Sequence, residues 1–148
     1  MRILIATDGS EHSKAMVKEF AGRTFAPNIK VRIISAYQGA SYMMYAAPMG
    51  VLSDYYLETD KYLLKAAEEA TENAANILRK KKPDLSISTA AIEGSPKSVI
   101  LDEAEKFGAD LIVIGSHGHG AVAGFLLGSV SQAVALHAKC SVEIVRKR

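Results

Sequence analysis

A chain of 148 residues, 49% of them hydrophobic, is long enough to bury one substantial core and too short to build two, so a single domain over residues 1–148 is expected. Its 18 Lys and Arg against 16 Asp and Glu leave a formal charge of only +2, which excludes a dominant electrostatic footprint for nucleic acid. The single cysteine, Cys140, rules out an internal disulfide, and the apolar run after Met1 is too short for a signal segment or a membrane span, so a cytoplasmic protein without membrane contact is expected.

Apolar runs of strand length alternate with helical patterns, which is the signature of βαβ units feeding a parallel sheet. Ile3 to Ala6 reads as a first strand covered on both faces. A helix from about Ser10 follows, with Met16, Val17, Phe20 and Ala21 at helical spacing and Pro27-Asn28 as its stop. Val31 to Tyr37 is the second strand. The stretch from Gln38 to Gly50, rich in Tyr and Met, shows no period and suits packing or dimer contacts. Ser53 then caps a long helix whose apolar stripe is Leu63, Ala66, Ala67, Ala70, Ala74, Ile77 and Leu78, before Pro83 ends it. The basic clusters at Arg79 to Lys82 and at Arg146 to Arg148 fall at element ends, where cations are favoured.

Leu85 to Ile92 alternates in part and reads as a strand nearer the sheet edge. Gly94-Ser95-Pro96 supplies a turn, an N-cap and a proline at the first helical position, and Gly108 stops the helix that runs to Phe107. Leu111 to Ile114 is the most apolar short run and reads as a buried strand. Ser129 and Gln132 have capping-box spacing for a last helix to about Ala138, and Val142 to Val145 closes the chain as a fifth strand.

Five of the 11 glycines, Gly115, Gly118, Gly120, Gly124 and Gly128, fall in one segment directly after the fourth strand. Glycine lets the backbone approach a ligand, so a strand, a glycine loop and a helix N-terminus together make an anion cradle built from main-chain N–H groups. Gly128, Ser129 and Val130 are the expected donors. A P-loop is excluded because Ala121 stands where its lysine belongs, and the G-x-G-x-x-A reading from Gly118 to Ala123 starts beyond the strand-to-helix turn.

Gly115-x-x-Gly118, nine residues, then Gly128-Ser129 resembles the ATP-binding signature G-x2-G-x9-G-[ST] of universal stress proteins. The likeness extends to Thr7-Asp8-Gly9-Ser10, to Gly94-x-Pro96 and to Asp110 through Gly115. The resemblance implies an open five-stranded parallel sheet of order 3-2-1-4-5 with helices on both faces, Rossmann-like and of the adenine nucleotide alpha hydrolase type. It implies ATP or another adenine nucleotide as ligand, with Mg2+ accompanying a triphosphate. Asp8 would contact the adenine or ribose side, Thr7 and Ala36 would line the base pocket, and Ile114 and Gly115 would flank the nucleoside. Gly118, Gly128, Ser129 and Val130 would hold the phosphates. The family's closing strand often pairs into dimers, which makes Ser141 to Val145 the candidate interface of a homodimer. The family's proline before that strand is replaced here by Cys140-Ser141, which weakens this expectation.

The implied function is a nucleotide-dependent stress-response regulator or switch that acts on a protein partner. No lysine clamp or general base is evident in the loop, so the enzymatic alternative is at most a slow Mg-dependent ATPase. A stress interaction module that binds no nucleotide is the other alternative. His117 and His119 stand two residues apart with no third ligand in sight, so no metal site is expected, and Cys140 reads as a small core residue.

Overall fold

The computed structural model describes residues 1–39, 53–118 and 127–146, except the side chains of 53–56. The expected segment after Gln38, with its Tyr and Met residues, falls mostly outside the described residues, as do His119, Gly120, Gly124 and the side chain of Ser53.

Five strands form one parallel sheet: β1 (Arg2–Ala6), β2 (Lys30–Tyr37), β3 (Ser86–Glu93), β4 (Leu111–Gly115) and β5 (Ser141–Val145), in the order β3-β2-β1-β4-β5. The order implied by the resemblance is the order observed. β1 is central, with Ile3 opposite Val31 on one side and Leu111 on the other, and Ala6 opposite Ile34 and Ile114. Because side chains alternate along a strand, β1 feeds both faces of the sheet. Ile3 and Ile5 join Met16, Val17, Phe20 and Leu78 beneath α1 (Glu11–Ala21) and α2 (Ser53–Lys81). Leu4 and Ala6 join Val99, Ile100 and Val134 beneath α3 (Pro96–Phe107) and α4 (Ser129–His137). Ile3, Leu4 and Ile5 are at most 2% exposed, and full burial of each contributes about 1.5 to 3 kcal/mol.

Local signals explain most element ends. Ser10 caps α1 by accepting a hydrogen bond from the Ser13 N–H at 3.2 Å. The helix stops at Ala21, ahead of the expected Pro27-Asn28, because Gly22 and Arg23 turn back in a tight turn, their N–H groups donating to Glu19 and Phe20 carbonyls. Gly108 ends α3 in the left-handed conformation, φ 63°, which a Cβ would disfavour. On α2 the buried stripe is Ala67, Ala70, Thr71, Ala74, Ala75 and Leu78, whereas Ala66, expected on it, is exposed.

The N-terminus of α4 differs from its expected form. Gly128, in an extended conformation, occupies the N-cap position, Ser129 is the first helical residue, and no side chain caps the helix. Both are N-cap residue types and are adjacent, and a bond from Gly128 N–H to the Ser116 carbonyl at 2.8 Å decides between them. The capping box is therefore not formed. The same bond occupies the Gly128 N–H, which removes it from the amides expected to be available.

Candidate functional site

A cleft of about 210 Å3 opens at the carboxyl end of the sheet, where β1 and β4 lie side by side while their connections leave in opposite directions. Open α/β sheets bind ligands at this switch point, since the two diverging connections leave a crevice there. Thr7, Asp8, Ala36, Ile114, Gly115, Gly118, Gly128, Ser129 and Val130 all line this one cleft, along with Ser13, Ile34, Pro96, Ile100, His117 and Ser131.

The cleft has two chemically different regions. Ala6, Ile34, Ala36, Ile100 and Ile114 form an apolar wall under α3, which packs across β1 and β2. Such a wall suits the face of a flat heterocycle. The other region is the N-terminus of α4, where helix geometry leaves the N–H groups of Ser129, Val130 and Ser131 without intrahelical partners and adds the positive end of the helix dipole. That region suits an anion.

The first wall is made rigid by the loop after β1. Thr7 is 6% exposed; its N–H donates to the Ile34 carbonyl at 2.9 Å, and its hydroxyl donates to Ser13 Oγ at 3.1 Å. Asp8 Oδ1 accepts from the Ser10 N–H at 3.0 Å, so this carboxylate shapes its own loop as well as facing the cleft. Gly9 takes φ 76° and packs on Ala70 of α2, where an added Cβ would stand 3.1 Å from the alanine methyl.

The opposite wall is the loop after β4. Gly118 lies so close to Asp8 that a Cβ on it would collide with Oδ2 of that carboxylate. Gly128 is similarly confined, with the Ser116 carbonyl 3.3 Å from the position of a Cβ. Ser131 ties α4 to the sheet: its hydroxyl is buried and donates to the Gly115 carbonyl at 2.7 Å. The Ser116 N–H donates to the Val145 carbonyl at 2.8 Å, which fixes the loop to β5.

Ser13 and Ser131 went unassigned in the sequence. Each is the third residue of its helix, and only the packing of that helix turns it toward the cleft. Pro96 was legible as a helix start, but not as cleft lining. His117 was legible as a loop histidine, yet its neighbour is His12 of α1, with ring centroids 6.0 Å apart. Among the described residues, no group of three or more His, Cys, Asp or Glu stands where it could hold a metal ion, and no helix is long and apolar enough to cross a membrane. Cys140 lies away from the cleft, in a smaller pocket with Leu101, Ala104 and Ala109. Burial pushes its thiol pKa above the ordinary value, and the nearby Asp110 carboxylate pushes it the same way.

The sequence profile of the Universal stress protein family matches residues 1–146. A putative universal stress protein of Staphylococcus epidermidis is 35% identical over 148 residues, covering 97% of this chain and 82% of the relative. Among solved structures, the hypothetical protein MJ0577 superposes with a TM-score of 0.81 at 23% identity, covering 99% of this chain and 96% of that one. A universal stress protein solved in complex with cAMP superposes with a TM-score of 0.62 at 28% identity, with the same coverage of 99% and 96%. Sequence and fold agree from end to end, and the chain belongs to the universal stress protein family.

Proposed function

We propose that this protein binds an adenine nucleotide in the cleft between β1 and β4 and acts as a cytoplasmic, nucleotide-dependent stress-response regulator. The observation that carries the reading is the pairing, in one cleft, of an apolar wall with helix N-terminal amides that have no intrahelical partner. A base fits against Ala36, Ile34 and Ile114, with Thr7 and Asp8 at its edge, and phosphate oxygens accept from Ser129 and Val130 N–H and from the Ser129 hydroxyl. Gly115 and Gly118 keep the backbone low enough for the ligand to pass, and Gly128 sets the angle at which α4 meets it. The relative solved with cAMP supports an adenine nucleotide as the class of ligand. ATP is the form we assign, since the Gly115-x-x-Gly118 to Gly128-Ser129 spacing resembles the ATP-binding signature, and Mg2+ would accompany the triphosphate.

Binding would order the two loops against each other and so alter a surface read by a protein partner. β5 ends the sheet, and pairing of that edge with a second copy would give a homodimer. Calorimetric titration of the purified protein with ATP, AMP and cAMP, with and without Mg2+, tests the ligand, and mass analysis of extracted nucleotide tests it independently. Micromolar binding of at least one is expected, and no binding of any would end the proposal. Sedimentation velocity tests the dimer. Phosphate release at several turnovers per second with Mg2+ would make the protein an ATPase instead.

A further inference from the structure

Two buried hydroxyl residues line the cleft side by side, Thr7 at 6% exposure and Ser13 at 3%. They belong to different elements, Thr7 to the loop after β1 and Ser13 to the first turn of α1, and their oxygens are 3.1 Å apart. The groove on the other side of that loop, between α1 and α2, is lined by Thr7 but not by Ser13. The Thr7 hydroxyl, turned toward Ser13, therefore lies on the cleft side.

A hydroxyl ordinarily donates or accepts as its neighbour requires. Here the neighbours fix the choice. Ser13 Oγ is 3.0 Å from the Ser10 carbonyl, which only accepts, so the Ser13 proton is committed there. The proton between Ser13 and Thr7 must then come from Thr7, with the Ser10 hydroxyl, 3.5 Å from the same Ser13 oxygen, as a weaker second donor. Thr7 Oγ1 in turn accepts from the Gly9 N–H at 3.2 Å. Of its two lone pairs one remains, and no proton. Both oxygens thus meet a ligand as acceptors only, and in a buried corner an acceptor set against another acceptor leaves both without a bond.

Building on the adenine-nucleotide reading, we propose that this hydroxyl chain makes the cleft selective for a base with an exocyclic amino group. Thr7 Oγ1 accepts from the amine, and Ser13 is the positioning residue that holds the Thr7 proton away from it. A 6-amino purine supplies the donor that the corner lacks. A 6-oxo purine, hypoxanthine or guanine, brings a carbonyl oxygen to the same place and finds no proton.

The test is the ratio of ATP to inosine triphosphate (ITP) affinity in the full-length protein, measured by calorimetry. The two nucleotides share ribose and phosphates and differ only at the amino edge of the base. Wild-type protein should favour ATP by about tenfold, the effect of roughly one hydrogen bond. In Ser13→Ala the Thr7 hydroxyl loses its acceptor and is released to donate into the cleft, so the ratio should fall to within about threefold, chiefly through tighter ITP binding. Thr7→Val, of the same shape, should lower the ratio through weaker ATP binding instead, and it reads the selectivity independently of Ser13. Melting profiles check that each variant is folded. Equal affinity of the wild type for ATP and ITP, or a ratio unchanged in both variants, would overturn the proposal and leave the nucleotide site standing. Equal losses of both nucleotides in Ser13→Ala would overturn it in favour of a ribose contact or plain structural support. Wild-type protein that binds neither nucleotide would instead remove the underlying reading, a distinct result.

Discussion

The Asp8 carboxylate, two residues beyond β1, occupies the space that a Cβ on Gly118, near the start of the loop that follows β4, would take. The two walls of the cleft thus touch through one side chain and one missing side chain, and each limits the other.

Gly118→Ala should displace the Asp8 carboxylate without straining the backbone, because its Cβ meets only the far end of a rotatable side chain. The expected result is a loss of nucleotide affinity of about tenfold, or ~1.4 kcal/mol, with an unchanged melting profile. In an Asp8→Ala background the same substitution should cost much less. Calorimetry on the four proteins of this cycle gives a coupling energy of about 0.5 to 3 kcal/mol if the contact is the cause, and additivity would reject it.

Ser129 and Ser131 should separate stability from binding. Ser131→Ala removes a buried hydroxyl that donates to the Gly115 carbonyl, and should destabilise the fold by about 1 to 2 kcal/mol in urea denaturation. Ser129→Ala removes no cap, because Gly128 holds that position, so stability should change by less than about 0.5 kcal/mol while nucleotide affinity falls. A Ser129→Ala variant as unstable as the Ser131 variant would mean that the cap lies at Ser129 after all.

Arg32 of β2 and Glu103 of α3 form an ion pair under the helix layer, with Nε to Oε2 at 2.9 Å, and Glu103 is 8% exposed. Removing the arginine strands a largely buried carboxylate, to which Lys106 remains as a cation at 3.5 Å. Arg32→Met should cost about 2 kcal/mol, less than a fully buried pair because the arginine side chain is 29% exposed. Arg32→Met with Glu103→Met should recover most of that loss, as neither partner then leaves a charge behind. Urea denaturation midpoints of the two variants decide it.

Cys140 should be a slow thiol. Burial first, and the Asp110 carboxylate second, raise its pKa, so at pH 8 a smaller fraction is thiolate than in an ordinary cysteine. Reaction with a disulfide reagent should lag behind that of an unfolded control at pH 8 and catch up as pH rises through the raised pKa. A rate equal to the control's at pH 8 would show that neither cause operates.

The parts of the fold legible in the sequence are those whose signals are local. Ile3 to Ala6 and Leu111 to Ile114 read as buried strands because parallel strands covered on both faces must be apolar throughout. Ser10, Pro96 and Gly108 marked helix ends because capping depends on one residue's own side chain or backbone freedom. The stop of α1 was misplaced by several residues, since proline signals a boundary without saying how long a turn precedes it. On α2, Ala66 and Ala67 are equally apolar, and only packing against the sheet decides which one faces inward.

By itself, then, the sequence determined the alternation of strands and helices and the accumulation of small residues after β4, because both follow from side-chain size and period along the chain. The strand order entered only through resemblance. Tertiary structure alone decided that Gly128 rather than Ser129 caps α4, because the deciding bond comes from Ser116 on the strand side of the loop. It alone brought Asp8 against Gly118, His12 beside His117, and Ser131 onto Gly115, since these contacts join segments separated in the chain and depend on how helices and loops pack around β1 and β4.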